Sequence, residues 1–196
     1  MFIIMRSLVH KKDNTKRNQI LLGGFLILVM LFSTLGYALS GRGEGDKNKK
    51  IEYNGIEFIQ DTSGYWYSQI QGYEFITKYN PEELEDISFL NTLSINDYSN
   101  KPLYFVGGAG EPVSEIDRNL RERFVLRTRE ACLNEEDCEG DLPIKNCSVD
   151  NMITINEALG NQTETIYQEE KCIFIIASYA NQTRYADKFL FDILGL

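Results

Sequence analysis

The chain reads as an α+β fold, a mixed sheet with flanking helices and an N-terminal antiparallel meander, preceded by one transmembrane helix. Three observations carry this expectation. Residues 20–39 form a charge-free apolar run, residues 56–79 alternate aromatic and polar positions between turn signals, and the second half interleaves short strand-like runs with helical patterns.

The run ILLGGFLILVMLFSTLGYAL, Ile20 to Leu39, contains no charged residue. As a helix rising 1.5 Å per residue it would be about 30 Å long, the thickness of a bilayer's hydrocarbon core. Tyr37 stands where an interfacial aromatic belongs. A buried core helix would show a polar stripe, and this run has none. Ala38-Leu39-Ser40 could pass for a leader cleavage site. Leader cores, however, run only about 7–15 apolar residues, so a retained anchor is the expectation. Arg6, Lys11, Lys12, Lys16 and Arg17 precede the run, and Arg42, Lys47, Lys49 and Lys50 follow it. That balance orients the helix only weakly. The short leading tail, and the position of every N-x-[ST] sequon after the helix, favour a cytoplasmic N-terminus. The expected organisation is a basic cytoplasmic tail at 1–19, a transmembrane helix at 20–39, a flexible linker at 40–50 (SGRGEGDKNKK) and an exported acidic α+β domain at 51–196. The expected location is the plasma membrane, single-pass, with the C-terminal domain extracellular.

Charge is distributed to match. Residues 1–50 carry +6 and the whole chain −9, which leaves −15 for residues 51–196. A domain so acidic repels phosphate backbones and anionic lipid heads, so nucleic acid is not an expected partner.

Within the domain, Ile56 and Phe58 flank Glu57 before a turn at DTSG. YWYSQI (65–70) then turns at Gln71-Gly72 into YEFITKY (73–79), giving a three-stranded meander. Its aromatics Tyr65, Trp66, Tyr67, Tyr73, Phe75 and Tyr79 read first as strand packing and second as a glycan platform. NPEELEDI carries a helix start, with Asn80 as N-cap and Pro81 at the first helical position. LYFV (103–106), EPVSEIDRNLRE and RFVLRTR (123–129) read as strand, helix and strand, a continuous helix from Pro112 to Leu133 being the alternative. MITIN (152–156) and TIYQEEKCIFIIAS (165–178) read as antiparallel strands around a turn in ALGNQ. The chain closes on an amphipathic helix with Phe189, Leu190, Ile193 and Leu194 on its apolar side.

All four cysteines, Cys132, Cys138, Cys147 and Cys172, fall in the exported segment, where disulfides persist. Four cysteines allow three connectivities. The expected hairpin brings Cys172 near Cys147, which favours Cys147–Cys172 and leaves Cys132–Cys138 to close the loop LNEED. Zinc would want C-x₂₋₄-C spacing or histidines, and a redox centre C-x-x-C with a lowered pKa. Neither pattern is present, so no metal and no cofactor is assigned. Three sequons, at Asn146, Asn161 and Asn181, are candidate glycosylation sites.

Two other charged clusters stand out. Glu130, Glu135, Glu136, Asp137, Glu139 and Asp141 lack the alternation of a calcium loop and read as solvated surface. The row Arg118, Arg121, Arg123, Arg127 and Arg129 is a candidate face for an anionic glycan or peptide, or a source of ion pairs. GGAG (107–110), between strand and helix, resembles a phosphate loop but lacks Gly-Lys-[Ser/Thr]. Glu111 and Glu115 at the helix start would repel an anion, so it reads as a flexible turn.

The single histidine is His10, ahead of the apolar run, so Ser-His-Asp and Cys-His catalysis are closed to the domain. No catalytic residue is assigned. The segments EIDRNL, FVLRTREACL, CEGDLPIKNC, DNMITI, CIFI and ADKFLFDILGL resemble uncharacterised single-pass membrane proteins of small-genome archaea, over residues 103–196. That resemblance implies a cell-envelope protein and carries no activity. The expected role is a non-enzymatic binding, accessory or structural subunit whose partners are the membrane and other envelope proteins or glycans. A carboxylate-dependent, glycan-active envelope enzyme and a thiol redox protein are the alternatives.

Overall fold

The computed structural model describes residues 15–40, 49–121, 123–136, 138 and 140–196. The chain divides into two units, the first ending at Lys47 and the second running Asn48–Leu196. Most of the expected tail and linker lies outside the described residues.

In the first unit, helix α1 spans Thr15–Ser40. Its large apolar side chains from Ile20 to Phe32 are exposed, between 47% at Val29 and 75% at Ile20. Side chains in α1 are described over 19–33, about 22 Å of axis. Among the described residues no helix is long and apolar enough to cross a membrane. The helix stands where the apolar run placed it, but a bilayer span over 20–39 is not met by the described residues.

The second unit holds two sheets and three helices. The meander has four strands rather than three: β1 (Lys50–Tyr53), β2 (Ile56–Gln60), β3 (Trp66–Ile70) and β4 (Tyr73–Thr77), paired antiparallel in that order. The extra strand arises because Asn54-Gly55, both at positive φ, make a tight hairpin turn that returns Lys50–Tyr53 onto β2. Alternation sends Phe58, Trp66, Ser68 and Phe75 inward. A 3₁₀ turn at Pro81–Leu84 follows with a full capping box, Asn80 and Glu83 each bonding the other's backbone amide.

The second sheet has strand order β6-β5-β7-β9-β8. After the short helix α2 (Ile95–Tyr98) come β5 (Pro102–Gly107), α3 (Glu111–Leu120) and β6 (Arg127–Glu130), with β5 and β6 parallel as a crossover requires. Strand β7 (Asn151–Glu157) lies parallel to β5 on its other side. The run expected as one strand after it is two, β8 (Thr165–Glu169) and β9 (Cys172–Ala177), turning at Glu170-Lys171. Strand β9, not β8, pairs with β7, and it does so in parallel. The antiparallel expectation is thus corrected: the charged break QEEK is a hairpin turn. The nearly all-apolar β5 and β9 suit strands covered on both faces, and β7, though it carries Asn151 and Thr154, is buried from Asn151 to Ile155.

Helices α3 and α4 (Gln182–Leu194) pack on each other and on one face of this sheet, where Leu103, Phe105, Ile153, Ile155, Ile173 and Ile175 meet Ile116, Leu120, Phe189 and Leu190. The same core reaches Phe58 and Trp66 of the first sheet. Tyr104, Met152 and Cys172 face the other way, under the cysteine-rich loop.

Strand β4 is an edge, and side chains of the helices satisfy it. The Asn119 amide accepts from Ile76 N–H at 2.9 Å and donates to the Ile76 carbonyl at 2.8 Å. The Asp187 carboxylate accepts from Lys78 and Tyr79 N–H at 3.0 and 2.9 Å. Two polar residues on the apolar faces of α3 and α4 thus do the work of a missing strand.

Candidate binding cleft

A cleft of about 500 Å³ opens at the carboxyl ends of β5, β6 and β7. After β5 the chain passes to β6 on one side, and after β7 it passes to β8 and β9 on the other. Connections that part in this way leave a crevice at the strand ends, where sheets of this kind take ligands. The volume falls within the range of small-molecule sites, roughly 300–1,000 Å³.

Gly107 and Gly108, which end β5, form part of the wall at φ +63° and +69°. A Cβ on Gly107 would lie 2.9 Å from the Ile155 carbonyl oxygen, and one on Gly108 2.7 Å from the Ile155 Cβ. Gly107 and Gly108 are thus a close approach to β7, and residues 108–110 make the turn into α3 that the sequence led one to expect. The objection raised by the acids of α3 also changes. Glu111 accepts from the Tyr65 hydroxyl at 2.8 Å, while Glu115 is buried against Arg118 and Asp187. Neither lines the cleft.

The polar part of the wall is Thr154, Asn156, Asn134 and Glu130, and the apolar part includes Val113, Leu133 and Leu142. Thr154 is 2% exposed and its hydroxyl has no hydrogen-bond partner among the described residues. Tyr179, 74% exposed, brings its phenol oxygen to 3.8 Å from a Cβ position on Gly110, at the start of α3.

Both expected disulfides are present. Cys132–Cys138 has its Cα atoms 5.4 Å apart, and Cys147–Cys172 5.1 Å. The first sets Cys132 and Leu133 on the cleft wall. The second forms by a route other than the expected hairpin. Cys172 opens β9 beside Met152 of β7, and Lys171 N–H donates to the Cys147 carbonyl at 3.0 Å.

The sequons differ in setting. Asn146 is exposed, and its side-chain oxygen accepts from Ser148 N–H and hydroxyl at 2.8 and 2.9 Å. Asn161 and Thr163 are exposed between β7 and β8. Asn181, by contrast, donates its amide to Glu164 at 2.8 Å, and Thr183 is buried in the first turn of α4. Glu164 also accepts from Ser178, and these bonds hold its carboxyl below the usual carboxylate range.

The arginine row does not form one face. Arg118 bonds Glu115 and lies over the Tyr65 ring, Arg121 pairs with Asp117 at 2.8 Å, and Arg123 donates to the Glu74 carbonyl. Arg127 and Arg129 stand exposed on the edge strand β6. Of the acidic cluster, Asp137 and Glu139 lie outside the described residues. Among the described residues, no three His, Cys, Asp or Glu side chains gather as metal ligands. The aromatic row divides by strand alternation, Trp66 and Phe75 inside and Tyr73 43% exposed.

Sequence reasoning missed Thr154, Asn156, Asn119 and Asp187. A signal existed for Asp187, which sits three and four residues before Leu190 and Phe191 on the face that α4 buries. Thr154 and Asn156 carry no such mark, because their role follows from which strands are neighbours. No protein-family model, no curated protein and no solved structure matches this chain.

Proposed function

We propose that this protein is a membrane-tethered envelope subunit whose exported, disulfide-stapled domain binds a small ligand in the cleft at the carboxyl edge of its five-stranded sheet. The observation that carries the reading is the cleft itself, set where the connections of β5 and β7 part and walled by glycines that admit no Cβ. Support for the tether comes from the charge-free run 20–39, whose apolar side chains are exposed over Ile20–Phe32. Export is supported by two disulfides, which form and persist chiefly in oxidising compartments. The resemblance of residues 103–196 to archaeal single-pass proteins points the same way.

Binding is favoured over catalysis because one carboxylate, Glu130, lines the cleft among the described residues. Hydrolysis of a glycosidic bond needs two.

Two measurements test this. Intact mass of the membrane-extracted chain, alkylated with and without prior reduction, should show no reactive thiol before reduction. Two or more free thiols would reverse the proposed topology. A fragment screen read by amide chemical shifts should place its saturable hits at Gly107, Gly108 and Thr154. Hits confined elsewhere would overturn the cleft as the site.

A further inference from the structure

We infer that the cleft takes a neutral, polyhydroxylated ligand, a sugar residue of an envelope glycan, with the Thr154 hydroxyl as an anchoring contact. This inference rests on the reading of the cleft as a binding site and names what that site takes.

Charge narrows the class first. No lysine or arginine lines the cleft among the described residues, and Glu130 does. The domain around it carries −15 within the chain's −9. A phosphate or carboxylate would meet repulsion with no cation to hold it, even though a glycine loop and a helix start stand at the wall.

The polar groups narrow it further. A hydroxyl both donates and accepts, the Asn156 amide does both, and the Glu130 carboxylate accepts. That set matches the hydroxyls of a sugar, each of which can give one hydrogen bond and receive another. The Thr154 hydroxyl is buried with no partner among the described residues. Buried polar groups are nearly always hydrogen-bonded, and a ligand hydroxyl would supply what this one lacks.

The apolar groups complete the match. A pyranose is polar at its rim and hydrocarbon on its faces. Val113, Leu133 and Leu142 offer surface for such a face inside the cleft. A wholly apolar ligand would leave Thr154, Asn156 and Glu130 desolvated and unpaired.

The test uses the full chain in a detergent that is not itself a glycoside. Amide shifts are followed against the methyl glycosides of glucose, galactose, mannose and N-acetylglucosamine, with inorganic phosphate as the contrasting probe. The expected result is saturable shifts at Gly107, Gly108 and Thr154 with at least one glycoside and none with phosphate. Thr154→Val keeps the side chain's shape and should weaken that binding about tenfold without lowering the melting temperature. Absence of glycoside shifts, while fragments or phosphate still bind at the cleft, would overturn the sugar assignment and leave the cleft reading standing. Glycoside shifts confined to other regions, or unchanged affinity in Thr154→Val, would overturn the contact assigned here. Failure of every probe and fragment at the cleft would remove both readings.

Discussion

Replacing Asp187 separates two contributions that one buried side chain makes. Asp187 is fully buried, and its carboxylate holds the Lys78 and Tyr79 amides at the edge of the first sheet. It also lies against Glu115 of α3, itself buried and bonded to Arg118. Burial pushes the Asp187 carboxyl well above the usual range, and the charge of Glu115 adds to this. Burial likewise raises Glu115, with Arg118 working against it.

Asp187→Ala strands two backbone donors, each costing about 1–2 kcal/mol where water reaches poorly, so about 3 kcal/mol in all. For a domain of this size that lowers the melting temperature by roughly 6–12 °C. Asp187→Asn keeps the acceptor oxygen and should cost less than half as much. The two variants should differ again in pH dependence. Because burial raises both carboxyls above their unfolded values, their contribution to stability is complete below the ordinary carboxylate range. It is lost as pH rises through the folded pKa, at up to about 1.4 kcal/mol per unit. Asp187→Asn should flatten this alkaline slope. The assay is urea unfolding of the full chain in micelles at several pH values. Equal destabilisation by Ala and Asn, or an unchanged slope in Asn, would refute the account of β4 as an edge held by a buried carboxyl whose pKa is raised on folding.

Other outcomes follow from the same structure. Gly108→Ala meets both a positive φ and a 2.7 Å approach to Ile155, so it should cost roughly 2–4 kcal/mol by thermal unfolding. Serine replacement of Cys147 and Cys172, which close a separation of 25 residues, should cost about 3.5 kcal/mol by chain entropy. The same change at Cys132 and Cys138, with a separation of 6, should cost about 2.2 kcal/mol, and denaturant titration of both variants checks the order. Glu164 has a lowered carboxyl pKa through its bonds to Ser178, so its stabilisation holds above the ordinary range and is lost as pH falls through the folded value. Glu164→Gln should therefore reduce acid sensitivity, read from unfolding between neutral and acidic pH. Peptide mapping of the native protein should find glycan at Asn146 and Asn161 and bare Asn181, whose amide is bonded to Glu164.

Local chemistry was legible wherever neighbours in sequence decide it. The N-cap at Asn80, the strand–helix–strand order of β5, α3 and β6, and the buried face of α4 are set by contacts within a few residues. The disulfide partners were also legible, although Cys172 reaches Cys147 on a strand parallel to β7 and not through an antiparallel hairpin. Register and direction depend on which strands become neighbours. In this sheet the two-residue turn at Glu170-Lys171 makes β8 the edge and lets β9 lie parallel to β7.

By itself, the sequence determined a charge-free run near the N-terminus, an acidic α+β domain without a histidine, and four cysteines in positions to pair. Composition and short-range pattern suffice for those. The cleft, the orphan hydroxyl of Thr154 and the buried meeting of Glu115 with Asp187 were decided by tertiary structure alone. Each joins groups tens of residues apart, and what brings them together is the strand order of the folded sheet and the packing of α3 on α4.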